Sequence, residues 1–344
     1  MSNNDNNNEE EGLGYVQYSF TVDQKQEPLR IDKFLVNRIT NATRSRIQQA
    51  ISQSQVLVNG TVVKANYKIR PQDQIEVRVD ELPNELLIKP EALHIDIVYE
   101  DDDLMIVNKK AGMVVHPGVG NHSGTLVNAL AHYFNVEVDF EGKRPWLVHR
   151  IDKNTSGLLV IAKNDQAMSH LAAQFKDHSI SRKYVALVWG DFEEEEGTIS
   201  TYIARDQYDR KRYTAVEEEG ERGKWAVTHY SVLEDFLFCS LIECRLETGR
   251  THQIRVHMRH IGHSLFNDEM YGGNKILKGV VFSKYKQFVD NCFMILPRQA
   301  LHAKSLGFVH PTTGKEMFFV SELPPDFEEV IQKWRTVHQS SSFQ

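Results

Sequence analysis

The sequence predicts an α+β protein in two folded parts, a small helix-hairpin domain followed by a larger domain on a mixed, largely antiparallel β-sheet. Three observations predict it. At 344 residues the chain is too long for one ordinary core. A stretch from Leu82 to Pro90, holding Pro83 and Pro90, separates segments of different charge. Beyond it, short apolar runs mix with helical spacing too irregularly for β-α-β winding. The expected divisions are a tail over 1–14, the small domain over 15–82, a linker over 83–92, the larger domain over 93–336 and a tail over 337–344.

The first fourteen residues, rich in Asn and Glu, carry too little apolar surface to offset ordering. Leu29, Ile31, Phe34, Leu35 and Ile39 then recur at helical spacing, and Thr43 is placed to cap a second helix running through Ile51. Val56-Leu57-Val58 and Thr61-Val62-Val63 flank Asn59-Gly60, a pair that suits a type I′ hairpin turn, and Ile75 to Val79 alternates as a strand. In the larger domain strands are expected at Ile95–Tyr99, Leu104–Asn108, Leu158–Ala162, Tyr184–Trp189, Ala226–Val232 and Leu241–Leu246, with helices at Thr125–Phe134 and Asp165–Phe175. Thr251 to Ile261 reads as a helix capped by Thr251, with Ile254, Met258 and Ile261 inward and His252, Arg255 and Arg259 on another stripe. The insert from Gly190 to Gly223, basic between Arg205 and Arg212, reads as a solvated hairpin or a target-selecting loop.

Composition excludes several classes of function. The longest apolar runs, such as Leu158 to Ala162, fall far short of the ~20 residues that cross a bilayer. The amino terminus has neither the basic start nor the apolar stretch of a secretory signal, so a cytoplasmic protein is expected. Cys239, Cys244 and Cys292 form no Cys-x-x-Cys pair and fit reduced, buried thiols. The net charge of −7 argues at first against a nucleic-acid partner. Its distribution reverses that impression: residues 1–27 hold six acids against one lysine, whereas Pro28 to Asp80 holds nine bases against four acids. Arg44 and Arg46 open the second helix, where side chains and backbone amides can both meet phosphates; a solvated basic face is the plainer reading.

The segment from Trp146 to Val160 carries the candidate chemistry. Two apolar strands flank a polar loop, which sets His149, Arg150 and Asp152 at a strand edge facing a cleft. From these residues alone an ordinary turn is an equal reading. The segment His149-Arg150-Ile151-Asp152-Lys153-Asn154-Thr155-Ser156-Gly157-Leu158-Leu159 resembles the signature of the RluA family of pseudouridine synthases, with Ile151 in place of leucine. Tyr99 to Leu104 and Asn108 to Pro117 resemble the family's first motif, with Lys110 where proline is usual. Arg182 to Gly190, Thr248 to His257 and Arg298 to Ala303 resemble its tyrosine, arginine and last motifs, and Ser264 stands where proline is usual. The resemblance spans about Val98 to Pro311, while Leu29 to Val79 is similar to the RNA-binding domain of ribosomal protein S-four. The two-domain layout is most similar to the large-ribosomal-subunit branch.

The resemblance implies an isomerase that turns uridine into pseudouridine in RNA, with ribosomal RNA as the expected partner and transfer RNA as the alternative. The N1–C1′ bond breaks, the base rotates, and C5 bonds to C1′ before losing its proton. No redox change, group donor or metal is required, so no cofactor is expected. The family's catalytic aspartate matches Asp152, as nucleophile on the sugar or base at C2′. Arg255 matches its arginine partner, and a nearby cation would keep the carboxylate ionised. Tyr184 matches the tyrosine that stacks on uracil and assists at C5. Arg150, with His149, matches the side chains that fill the gap left by an everted base. Arg250, His252 and Arg298, in the matched motifs, are further candidates for RNA contact, and a monomer suffices.

Two other readings compete. His252, His257, His260 and His263 could suggest a metal hydrolase, but their spacing does not give the His-Glu-x-x-His arrangement. A non-catalytic RNA-binding assembly factor would need only the amino-terminal domain, and Asp152, Tyr184 and Arg255 occurring together speak against it.

Overall fold

The computed structural model describes residues 15–24, 26–39, 44–79, 87–118, 120–136, 138–139, 147–209, 211–217, 223–280 and 282–340. Thr43, Trp146, the 1–14 tail and the side chain of Arg46 lie outside the described residues. The chain divides into two compact units, Met1–Leu87 and Ile88–Gln344.

The first unit contains β1 (Tyr15–Thr21), α1 (Ile31–Arg38), α2 (Arg44–Ser52), β2 (Val56–Val58), β3 (Thr61–Val62) and β4 (Gln74–Val79). Its sheet runs β1-β4-β2-β3, antiparallel throughout. Asn59 and Gly60 both have positive φ, 50° and 76°, as a type I′ turn requires. Phe34 and Leu35 of α1 and Ile47 and Ile51 of α2 cover Val56, Val58, Ile75 and Val77 of the sheet. Strand β1, which has no clear apolar alternation, is held by its pairing with β4.

The second unit is entered through β5 (Leu87–Ile88) and continues with β6 (Ile97–Glu100), β7 (Leu104–Lys109), α3 (Leu126–Tyr133), β8 (Val138–Asp139), β9 (Ser156–Ala162), α4 (Asp165–Lys176) and β10 (Ser181–Trp189). There follow β11 (Glu196–Arg205), β12 (Tyr213–Val216), β13 (Gly223–Asp235), β14 (Cys239–Leu246), α5 (Gln253–His260), α6 (Ser283–Ile295), β15 (Leu301–Val309), β16 (Glu316–Val320) and α7 (Pro325–Gln339). Helix α3 starts at a capping box in which Thr125 and Asn128 satisfy each other's backbone amides.

Among the described residues one ten-stranded sheet runs β12-β11-β13-β14-β10-β15-β9-β7-β6, with β16 also paired to β15. Its pairings are antiparallel except β9 with β15. Strand β10 is buried on both faces. Tyr184, Ala186 and Val188 join a core with α3 and α5, while Val185, Leu187 and Trp189 pack against α6 and α7 around Tyr285, Phe327 and Trp334. The period of two thus sends alternate residues into two cores, which is why this strand reads as an unbroken apolar run.

The sheet forks at β15. Its first residues lie parallel to β9, His302 opposite Ser156 and Ala303 opposite Gly157, and its later ones pair with β16. Gly157 has φ +113° and a Cβ there would meet the Ala303 carbonyl oxygen at 2.3 Å, so only glycine lets the strands approach. On the other side of β15 the register with β10 slips between Lys183 and Tyr184. Fork and bulge flank the Asp152 loop and Tyr184 respectively, which fixes the direction of both.

Some expectations change. The Gly190 to Gly223 insert is neither a free loop nor an isolated hairpin, because β11 pairs along β13 and β12 along β11, extending the sheet to its edge. Helix α7 runs to Gln339, past the expected boundary at 336, because Trp334 near its end is fully buried. Thr251 does not cap α5. The cap is His252, in the left-handed region at φ 58° with no side-chain cap bond. Gln253 ties the helix start down instead, accepting from the Arg250 amide and donating to the Val227 carbonyl. The three cysteines are free and buried, and no helix of the described residues is long and apolar enough to cross a membrane.

Candidate active site

The loop between Leu147 and β9 is fixed by its backbone. The Lys153 carbonyl accepts from the Gly112 amide at 2.9 Å and from Lys109 Nζ at 3.0 Å. Lys109 is buried, and its ammonium also donates to the carbonyls of Lys110 and Met113, so each of its three protons has an acceptor. Burial pushes Lys109 down to about 7, opposed by the charge of Asp152. Ser156 Oγ bonds His302 Nδ1 at 2.9 Å, and His302 Nε2 bonds Ser321 Oγ at 2.8 Å, locking the loop's exit to β15.

Asp152 emerges from this frame partly exposed, with Oδ2 accepting from Arg255 Nη1 at 3.0 Å. Arg255 itself is buried. Its Nε and Nη2 donate to the two oxygens of Asp268 at 2.7 and 2.9 Å, and its guanidinium lies 4.8 Å from the centre of the Tyr271 ring. Burial alone would lower its pKa, but Asp268 and Asp152 more than reverse that, so the arginine is a fixed cation. Removing one partner of so buried a pair costs about 3–5 kcal/mol. Arg255 therefore does not share an exposed stripe with Arg259, which is exposed.

His252 sits beside the pair, with Nδ1 2.9 Å from Tyr271 Oη and Nε2 3.9 Å from Asp152 Oδ1. Burial lowers its pKa, so it is a neutral ring at pH 7. Tyr184 is buried, and burial raises its phenol above the ordinary value, with Arg182 opposing and Asp152 adding to the rise. It is a neutral phenol.

These groups line one cavity of about 470 Å³, whose walls include His149, Arg150, Asp152, Arg182, Tyr184, Arg250, His252 and Arg255. Arg150 is exposed at its mouth. His149 is held differently: Nε2 accepts the Val160 amide at 3.1 Å, the ring stacks on Phe175 at 4.6 Å, and burial lowers its pKa to about 3. It forms part of the wall, so of the two base-flipping candidates only Arg150 has freedom to move. Arg250 is tethered through Nε to the Trp225 carbonyl at 2.9 Å.

Arg298 does not line this cavity. It makes a bidentate pair with Asp326 at 3.0 and 2.9 Å and points Nη1 at the Asn154 carbonyl, so it braces the Asp152 loop against the start of α7, and it lines a separate cavity with Asn154 and Asp268. In the first unit Arg44 donates to Asp32 at 3.1 Å and is half exposed.

The four histidines proposed for a metal go separate ways. His257 bonds Thr201 and Thr228, His263 bonds the Trp189 carbonyl, His252 faces Tyr271, and His260 is exposed. A second cluster, Asp101, Asp103 and His310, brings possible ligand atoms together. His310 Nδ1 accepts the amides of Thr312 and Thr313, however, which makes Nε2–H a donor to Asp101 at 2.9 Å and closes the cluster as a loop lock.

Sequence reasoning missed four residues here. Asp268 and Tyr271 lie in a loop after α5 with no periodic signature. Lys109 and Arg182 lay within the quoted motifs and carried a readable signal, a charged side chain at an inward position of an apolar strand.

The same assignment comes from relatives. The RNA pseudouridylate synthase family profile matches residues 103–260 and the S4 domain profile residues 29–75. An uncharacterized RNA pseudouridine synthase of Chlorobaculum parvum is 46% identical over 93% of this chain and 98% of its own. Ribosomal large subunit pseudouridine synthase D of Escherichia coli is 39% identical over 93% of this chain and 95% of its own. The solved structure of human RNA pseudouridylate synthase domain containing 1 superposes with a TM-score of 0.50 at 26% identity, over 71% of this chain and 96% of that one. With a cavity that sets an aspartate against a buried arginine and a tyrosine, and relatives matched almost end to end, the chain belongs to the RNA pseudouridine synthase family.

Proposed function

We propose that this isomerase converts specific uridines of large-subunit ribosomal RNA to pseudouridine, with Asp152 as the reacting carboxylate. The observation that carries the reading is the pairing of Asp152 Oδ2 with Arg255 at 3.0 Å on the wall of a cavity that Tyr184 also lines. Arg255 fixes one oxygen, and Oδ1 remains for the ribose of an everted nucleotide, to attack C1′ or to take the proton from C2′. Tyr184 presents a ring on which uracil stacks while N1 separates and C5 turns to C1′. Because its phenol is neutral, it works on the C5 proton by hydrogen bonding, not as a resting phenolate. Arg150 at the mouth fills the space the nucleotide leaves. The protein acts as a cytoplasmic monomer without a metal.

Asp152→Ala should abolish pseudouridine formation while leaving RNA affinity nearly intact; full modification by that variant would refute the assignment. Mapping pseudouridines in total RNA from cells lacking the gene tests the substrate. Sites missing from large-subunit ribosomal RNA support the reading, and sites missing only from transfer RNA overturn it.

A further inference from the structure

We infer that Arg182 is a phosphate-binding residue of the active-site cavity, gripping a backbone phosphodiester beside the everted uridine; the inference rests on the function proposed above. Arg182 occupies an inward position of β10, two residues before Tyr184, and its side chain is 7% exposed. Among the described residues it has no carboxylate partner and no hydrogen bond, and its buried Nε is left without an acceptor. The other buried arginines of this unit are saturated, Arg255 by Asp268 and Asp152 and Arg298 by Asp326. A buried cation with no anion is costly, and a group left so marks a place where a partner from outside the chain would be gained.

Its surroundings hold the charge ready without neutralising it. The guanidinium lies 5.0 Å from the centre of the Phe175 ring, which orients the plane but accepts no strong hydrogen bond. Across the cleft wall Gly249 leaves it room, since a Cβ there would come within 2.9 Å of Nη1. His149 leans on the same Phe175 ring and leaves a second donor unmet. With Nε2 occupied by the Val160 amide, its Nδ1 carries the proton, and that atom too is buried without a partner. An arginine on the cavity wall with no carboxylate partner calls for an anion with several acceptor oxygens. The anion that RNA supplies is the phosphodiester. Held there, it would set the ribose of the target nucleotide over Asp152.

The test is a cycle between protein and substrate. A synthetic RNA hairpin carrying a mapped target uridine is made with ordinary phosphates, or with one uncharged methylphosphonate on the 5′ or the 3′ side of that uridine. Each is assayed with the full-length wild type, Arg182→Met and Arg182→Lys. On ordinary RNA Arg182→Met is expected to lose about 30- to 100-fold in kcat/KM, as for a charge-assisted contact, with Arg182→Lys recovering part. One of the two methylphosphonates should cost the wild type a similar factor and cost Arg182→Met nothing further. Without RNA, Arg182→Met should melt no lower than wild type, because an unpaired buried charge has been removed. Losses that multiply at both phosphates, wild-type turnover by Arg182→Met, or a lower melting temperature with unchanged phosphate sensitivity would each overturn the inference. A wild type that makes no pseudouridine in this RNA fails the proposed function, and the inference falls with it; an active wild type beside an equally active Arg182→Met removes the inference alone.

Discussion

Asp32 in the first unit and Asp152 in the second are both aspartates held by arginine, and they differ in the ratio of charges. Asp32 is fully buried and accepts from Arg30, Arg44, Gln48 and the Lys33 amide, two cations around one anion. Burial alone would raise its pKa, but these donors hold it well below the usual carboxylate range. At Asp152 the ratio is inverted, since Arg255 is shared between two carboxylates and spends two of its donors on Asp268. Oδ1 of Asp152 has no hydrogen-bond donor among the described residues, and His252 Nε2 stands 3.9 Å from it. A saturated carboxylate can only hold structure together; one with an unclaimed oxygen facing a cavity is available to a substrate.

The sharpest way to break that contrast is Asp152→Asn, which keeps shape and removes the charge. Turnover should fall at least about 10⁴-fold, as when a reacting group is deleted from an otherwise intact site, with the melting temperature near wild type. Pseudouridine formation above about a hundredth of the wild-type rate would mean that the free oxygen is not the reacting one.

Asp268→Asn comes next. It would leave Arg255 with one carboxylate instead of two, and the guanidinium would settle onto Asp152 and cover the oxygen now free. Turnover should drop about 100-fold through misplacement, with about 3 kcal/mol lost from the second unit because a buried pair is broken. Undiminished turnover, with only the stability loss, would reduce Asp268 to a structural role. In the first unit Asp32→Asn should cost only about 1–2 kcal/mol in urea unfolding, because Arg30 and Arg44 are 39% and 52% exposed and water takes over their charges. Its kcat should match wild type. A fall in kcat comparable to that of Asp268→Asn would erase the distinction between the two aspartates.

The contrast was only half legible in the sequence. Asp152, Arg255 and Tyr184 stand in motifs whose residue types announce chemistry, and the Asn59-Gly60 turn and the apolar β10 announce their conformation. Asp268 does not, because its importance comes from where the loop after α5 returns, and no local spacing encodes that. Arg298 shows the complementary case. Its motif suggested RNA, whereas its placement is set by Asp326, twenty-eight residues away at the start of α7. Strand β1 and the pairing of β11 with β13 were likewise invisible, since they depend on a partner strand and not on their own alternation.

The two units should also part in acid. The first unit contains no histidine, whereas the second holds the half-buried His149 and the buried His257 and His302, whose pKa values desolvation lowers to about 3, 4 and 4. A base whose folded pKa lies below its unfolded value of about 6.5 takes up a proton on unfolding, so its stabilising effect is complete above 6.5 and drains away as pH falls toward the folded value. At pH 6 the loss is under about 1 kcal/mol per histidine and grows with each further unit. Asp32 has the opposite sign of group and a lower window: its folded pKa is depressed, so its contribution is lost only as pH falls below its unfolded value near 3.8. All four tryptophans, at 146, 189, 225 and 334, belong to the second unit, so their fluorescence follows that unit alone, while amide exchange in β4 follows the first. Fluorescence in moderate urea should report destabilisation as pH drops from 6.5 to 4 while β4 stays protected, and His257→Gln should make that drop shallower. Loss of protection in β4 before the fluorescence change would show that the first unit's stability does not rest on its saturated aspartate.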